Sequence, residues 1–221
     1  MSYVTPNENE GHKGLVLQLS ADLAPVGRLW PPALRALSWL GVVVVFAALL
    51  ALFSNLSAMT ARLTALPDMW LAATGSALTA VLATVAAFQL SFPDRSPLWA
   101  LSPVPALLLW IGTSSMGCLR TLPVPGTHDA SPAEAKFCLF FILALSTPLS
   151  IVLFKMLQRA YSLRPGLTAM MGGLAAAAAS ATVLNLFHPY DAAATDLAFH
   201  ALAVAIVVTA NCVLNSRLLR A

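Results

Sequence analysis

Hydrophobic positions along this chain fall into long blocks separated by short polar punctuation. Six blocks stand out, at roughly 34–54, 69–90, 97–117, 135–157, 166–187 and 195–215. Each is close to the ~20 residues that an α-helix needs to cross ~30 Å of hydrocarbon. Proline marks the breaks: Pro67-Asp68, Pro93-Asp94, Ser96-Pro97, Ser131-Pro132, Arg164-Pro165 and His188-Pro189. Ser131-Pro132-Ala133-Glu134 fits a capping box with proline at the first helical position. The second and third blocks are joined so tightly that they read as a helical hairpin. The expected fold is an all-α membrane protein, a bundle of six transmembrane helices.

Ahead of the first block the pattern changes. Residues 1–13 are polar and read as unstructured. From Gly14 to Ala24, Leu15, Leu19 and Leu23 recur at four-residue spacing with Val16 alongside, which puts them on one face of a short helix. Pro25 ends that helix, and Pro31-Pro32 can open the next. The chain therefore divides into a cytoplasmic N-terminal segment, 1–33, and a transmembrane domain, 34–221. The first block has the length of a full span and lacks a small-residue cleavage site, so it reads as a retained span rather than a signal peptide.

Composition agrees with the pattern. Charged residues make up 10% of the chain and hydrophobic ones 59%, where a soluble domain carries about 25% charged. The net charge of +3 does not point to nucleic acid, because the Lys and Arg are scattered rather than clustered. They follow topology instead. With six spans, one side holds Lys13, Arg28, Arg35, Arg95, Lys155, Arg159, Arg164, Arg217 and Arg220, and the other holds Arg62, Arg120 and Lys136. Nine against three is a positive-inside bias that puts both termini in the cytoplasm. Trp39, Trp70 and Trp99 lie near segment ends, where indoles favour the interface. In the fifth block, Gly173, Ala177 and Ala181 form one small-residue stripe and Gly172, Ala176 and Ser180 another. Such stripes allow close backbone approach, so this helix is expected at the centre of the bundle.

Candidate chemistry is confined to the ends of the blocks. No ionisable residue lies near the middle of any of them, which disfavours a coupled transporter or proton relay. Asn185 and Asn211 read as helix-to-helix hydrogen-bonding groups, and Cys212 as structural. Cys118 closes the third block and Cys138 opens the fourth, both at the outer edge, on helices expected to be neighbours. They suit a disulfide or reversible dithiol if that edge faces an oxidising compartment; the alternative is two small packed side chains. His128, His188, Asp191 and His200 share that face, and with the cysteines they offer ligands for a transition-metal ion such as zinc or copper. Their spacing is not diagnostic, and a lone His or Asp beside a proline is more often a turn or helix-cap residue. No nucleophile elbow, phosphate loop or metalloprotease motif occurs, so no enzyme is expected.

The order Leu19-x-x-Asp22-Leu23-x-Pro25-Val26-x-Arg28-Leu29-x-Pro31-Pro32-x-x-Arg35, ending at Trp39, is followed by Cys118 and Cys138 and then by Phe187-His188-Pro189-Tyr190-Asp191 and His200. This arrangement resembles the NrsF family of negative regulators of sigma factors, from about Gly14 to the C-terminus. The resemblance implies a multi-pass protein of the bacterial inner membrane. Its cytoplasmic segment, here Leu15, Leu19, Asp22, Leu23, Pro25, Val26, Arg28 and Leu29, would hold an extracytoplasmic-function sigma factor. A stress signal at the outer face would release it, with Cys118 and Cys138 part of the response and metal or oxidative stress as stimulus. From the residues alone, the Leu15, Leu19, Leu23 face suits either a partner helix or the lipid surface. The competing readings are a small transporter or membrane-embedded redox protein, and a scaffold subunit with no switch. No direct contact with nucleic acid is expected.

Overall fold

A computed structural model describes residues 8–21, 29–54, 67–121, 132–160, 162–187 and 194–218, with Ser57 and Thr60 between. Seven α-helices carry the described chain: α1 Glu8–Ala21, α2 Pro32–Ala51, α3 Pro67–Leu90, α4 Val104–Thr121, α5 Pro132–Leu157, α6 Pro165–Phe187 and α7 Ala194–Leu218. No strand occurs among the described residues. Four of the helices, α2, α3, α5 and α6, begin on a proline, which costs nothing in the first turn, where the N–H has no intrahelical partner.

The described helices include five that are long and apolar enough to cross a membrane: Pro32–Ala51, Trp70–Leu90, Pro97–Ser115, Leu139–Leu157 and Pro165–Leu186. The sixth expected span falls in α7, whose described apolar stretch is the shorter Ala201–Leu214. The third span differs from expectation at its start. Ser96 accepts a hydrogen bond from the Leu98 amide at 3.3 Å and opens a 3-10 turn, Pro97–Leu101. The α-helix follows only at Val104, because Pro103 and Pro105 allow a first turn but no longer approach.

Helix α6 is the hub. Every residue from Met171 to Ala181 is buried, and α6 packs chiefly on α3 and α7, and also on α5. The Gly/Ala stripes explain why. A Cβ built at Gly173 would lie 2.8 Å from the Val208 Cα of α7, and one at Gly172 would lie 3.3 Å from the Leu153 side chain of α5. The expectation of a central fifth helix holds. The α3–α4 hairpin holds as well: a Cβ at Gly75 would meet the Trp110 backbone at 2.9 Å.

Hydroxyls and one amide tie the helices where carbon alone offers no direction. Thr182 of α6 bonds Ser76 of α3 at 2.9 Å, and Ser146 of α5 donates to Ser180 of α6 at 3.0 Å. Asn211 of α7 donates to the Ser150 hydroxyl of α5 at 3.1 Å and to its own-helix Val207 carbonyl at 2.8 Å. Asn211 thus has the interhelical role expected of it. Cys212 lies half-buried with its thiol 4.0 Å from the Gly166 carbonyl, consistent with a structural part.

Trp39 corrects the sequence reading. It is fully buried rather than interfacial, and its Nε1–H donates to the Leu149 carbonyl of α5 at 3.1 Å. The cause is its position one turn beyond Arg35, on the face of α2 that meets the bundle. Replacing Trp39 with Phe, which keeps a ring and removes the N–H, should lower the unfolding midpoint in detergent by the equivalent of about 1 kcal/mol.

Candidate functional site

Two regions are candidates for function: the N-terminal helix and the end of the bundle at which α2 starts. Helix α1 runs Glu8–Ala21, so it begins earlier than expected. Residues 8–13, read from sequence as unstructured, are helical, because Glu8 and Glu10 favour a first helical turn. All described side chains of α1, residues 12–21, are exposed. Leu15, Val16, Leu17 and Leu19 are 54%, 63%, 70% and 64% exposed. Leu15 and Leu19 share a face; Leu17 points roughly 160° away from Leu19 at 100° per residue. Leu29 is exposed after the helix. Asp22, Leu23, Pro25, Val26 and Arg28 lie outside the described residues.

The end of the bundle at which α2 starts is closely knit. There α3 and α5 end and α6 starts. Ser162 and Thr168 both reach the Leu90 carbonyl, at 3.2 and 3.3 Å, and Arg164 donates to the Arg95 carbonyl at 3.0 Å. Arg35 is the buried cation of this end, at 6% exposed. Its Nη2 donates to the Met156 carbonyl, one of the last carbonyls of α5, which the helix itself leaves without a partner. Its guanidinium also lies over the Phe88 ring of α3, 4.9 Å from the centroid. Arg35 and Trp39, one turn apart, thereby fasten α2 to α5 at two carbonyls. The sequence reading counted Arg35 as a topology charge and as part of the family motif that ends at Trp39, not as a cap; the i, i+4 pairing of Arg35 with Trp39 was the available signal for a shared inward face.

At the opposite end, Cys118 falls in the last turn of α4 and Cys138 in the second turn of α5. The side chains of Cys118, Cys138 and His200 lie outside the described residues, as do His128, His188 and Asp191 entirely. Among the described residues no group of three His, Cys, Asp or Glu side chains comes together as a metal site. The two cysteine-bearing helices were expected to be direct neighbours. The side chains of the ends that would meet, with the loop between them, lie outside the described residues; in the described packing α4 lies against α3 and touches α7, and α5 lies against α6, α7 and α2.

A cleft of about 330 Å³ opens between α5 and α7, lined by Ser146, Ser150, Asn211, Phe154 and Leu214 among others, with no ionisable group in the lining.

The fold and this arrangement define a helical, membrane-type bundle with an exposed helix standing ahead of its first apolar span. The model of the family described as negative regulator of sigma F, NrsF, matches residues 19–220. The chain belongs to that family. Neither a curated relative nor a solved structure matches it.

Proposed function

We propose that this chain is a membrane-embedded anti-sigma factor. In this reading α1 and the segment to Leu29 hold a sigma factor of the extracytoplasmic-function class at the cytoplasmic face of the inner membrane, and a stimulus at the outer face releases it. Six spans with both termini in the cytoplasm are part of the reading, because that topology puts nine of the Lys and Arg on one side and three on the other. The observation that carries the reading is α1 itself: an exposed helix that bears the leucine pair Leu15 and Leu19 on one face, in a chain whose family regulates a sigma factor. An exposed leucine pair at i, i+4 is what a partner helix takes up.

The route from signal to partner runs along α5. Cys138 lies near its start, Pro148 interrupts its hydrogen-bond ladder, and Met156 meets Arg35 at its end. A disulfide between Cys118 and Cys138, or a metal ion held there with His188, Asp191 or His200, would shift the start of α5. Arg35 and Trp39 would pass that shift to α2 and so to the segment ahead of it. Release requires two packings of the bundle with different affinity for the partner.

The test is fractionation of cells expressing the full chain. A sigma factor should sediment with the membranes, together with carbonate-resistant chain, and move to the soluble fraction on treatment with oxidant or a soft metal ion. The double substitution of Cys118 and Cys138 by serine should abolish that movement while retention persists. A sigma factor that stays soluble throughout contradicts the reading. Retention with unchanged release in the serine variant removes the cysteines from it.

A further inference from the structure

The basic end of the bundle carries more positive charge than its described residues answer. Arg35, Arg95, Lys155, Arg159 and Arg164 gather there, and the single ion pair among the described residues is the 3.8 Å contact of Arg95 with Asp94. Arg35 is the acute case. Its described partners are a carbonyl and an aromatic ring, both neutral. Its Nη1 is buried with no hydrogen-bond partner among the described residues, and exposed Arg159 follows three residues after the Met156 carbonyl that Arg35 holds. A buried guanidinium with a free N–H and a like charge at the same helix end is costly unless an anion joins it.

The chemistry of that anion is narrow. A guanidinium fork matches a phosphate or carboxylate, and two guanidinium groups sharing one anion suit the oxygens of a phosphate best. Depth favours a lipid. Arg35 lies one turn inside α2, at the level where a helix that crosses the membrane meets the headgroups. Its neighbours Leu34 and Leu37 are exposed at 49% and 63%, and Trp30 at 67%. Those side chains suit acyl chains and the interfacial layer. Basic recesses between helices on the cytoplasmic side are a recurrent form of anionic headgroup site.

We propose that Arg35 and Arg159 form a binding site for the phosphate group of an anionic phospholipid, which completes the α2–α5 contact. The site rests on the membrane reading given above. It makes the lipid a structural part of the regulator, joining the two helices through which the signal would pass.

The test uses the delipidated full chain in neutral detergent. Added phosphatidylglycerol should raise the unfolding temperature by roughly 5 °C more than phosphatidylcholine at the same mole fraction, the scale expected for a ligand well above its Kd on a protein of this size. Arg159→Gln, at an exposed position, should fold normally and lose that difference. Arg35→Met should lose it as well, although it also removes the α5 cap. Inorganic phosphate assayed in parallel separates the sources: stabilisation by both probes, lost in Arg159→Gln, supports the phosphate site with a free anion as its occupant. Equal effects of the two lipids, or a phosphatidylglycerol effect that survives Arg159→Gln, overturn the proposal. So does a loss of sigma-factor capture in Arg159→Gln with the lipid effect intact, since the anion is then a carboxylate of the partner. Failure of the chain to sediment with membranes would instead overturn the membrane reading, independently of any lipid shift.

Discussion

Replacing Leu15 and Leu19 together by aspartate is expected to weaken sigma-factor capture by roughly 100-fold, which is the loss of two leucine side chains from an apolar contact. Both residues are exposed on one face of α1, and neither takes part in the core, so the bundle should fold unchanged. Leu17→Asp is the control. Leu17 is as exposed as its neighbours but lies on the other side of the helix, and its substitution should alter capture several-fold at most. A pull-down titration of the three proteins reads both effects. Equal loss from all three would mean that hydrophobicity of the segment, and not a face, is recognised. Unchanged capture by the double variant, with α1 released from lipid, would make α1 a surface-lying helix without a partner role.

Gly173→Val is expected to be the most damaging single substitution in the bundle, at about 3 kcal/mol or a failure to fold. The new Cβ would approach the Val208 Cα to 2.8 Å. That atom is backbone, so no rotamer change relieves the contact and α7 as a whole must move away from α6. Gly41→Ala provides the contrast. No atom lies within 4 Å of a Cβ at Gly41, and the exchange should be neutral or stabilising by about 0.5–1 kcal/mol through helix propensity. Unfolding midpoints in detergent distinguish the two. Tolerance of Gly173→Val would mean that the α6–α7 seam is looser than the structure describes.

The legible part of this molecule was the part set by local chemistry. Proline placement marked four helix starts. The Gly172-Gly173 and Ala175–Ala179 run placed α6 at the centre, because small side chains on a long apolar helix have no other use than close approach. Asn211 had to find a partner, and it found Ser150. What escaped was direction in space. Trp39 near the end of an apolar block looks the same in sequence whether it faces headgroups or a neighbouring helix; its place on the Arg35 face decided for the core. Arg35 counted toward topology, and nothing in a list of charges says that one of them caps α5. Helix α1 began earlier than read because a polar segment with two glutamates satisfies a first helical turn without an apolar periodicity to announce it. Of the candidate site, Leu15, Leu19 and Leu29 lie exposed as a docking segment requires, while Asp22, Leu23, Pro25, Val26, Arg28, His188 and Asp191, with the side chains of the cysteine pair and His200, fall outside the described residues.

The measurement that bears most directly on the anti-sigma reading is co-purification of the detergent-solubilised chain with the host's sigma factors, comparing the whole chain with a version that lacks residues 1–24. The account predicts one sigma factor retained by the whole chain and lost from the shortened one, with both proteins equally folded. Retention by neither contradicts the anti-sigma assignment, and equal retention by both contradicts the placement of the contact on α1.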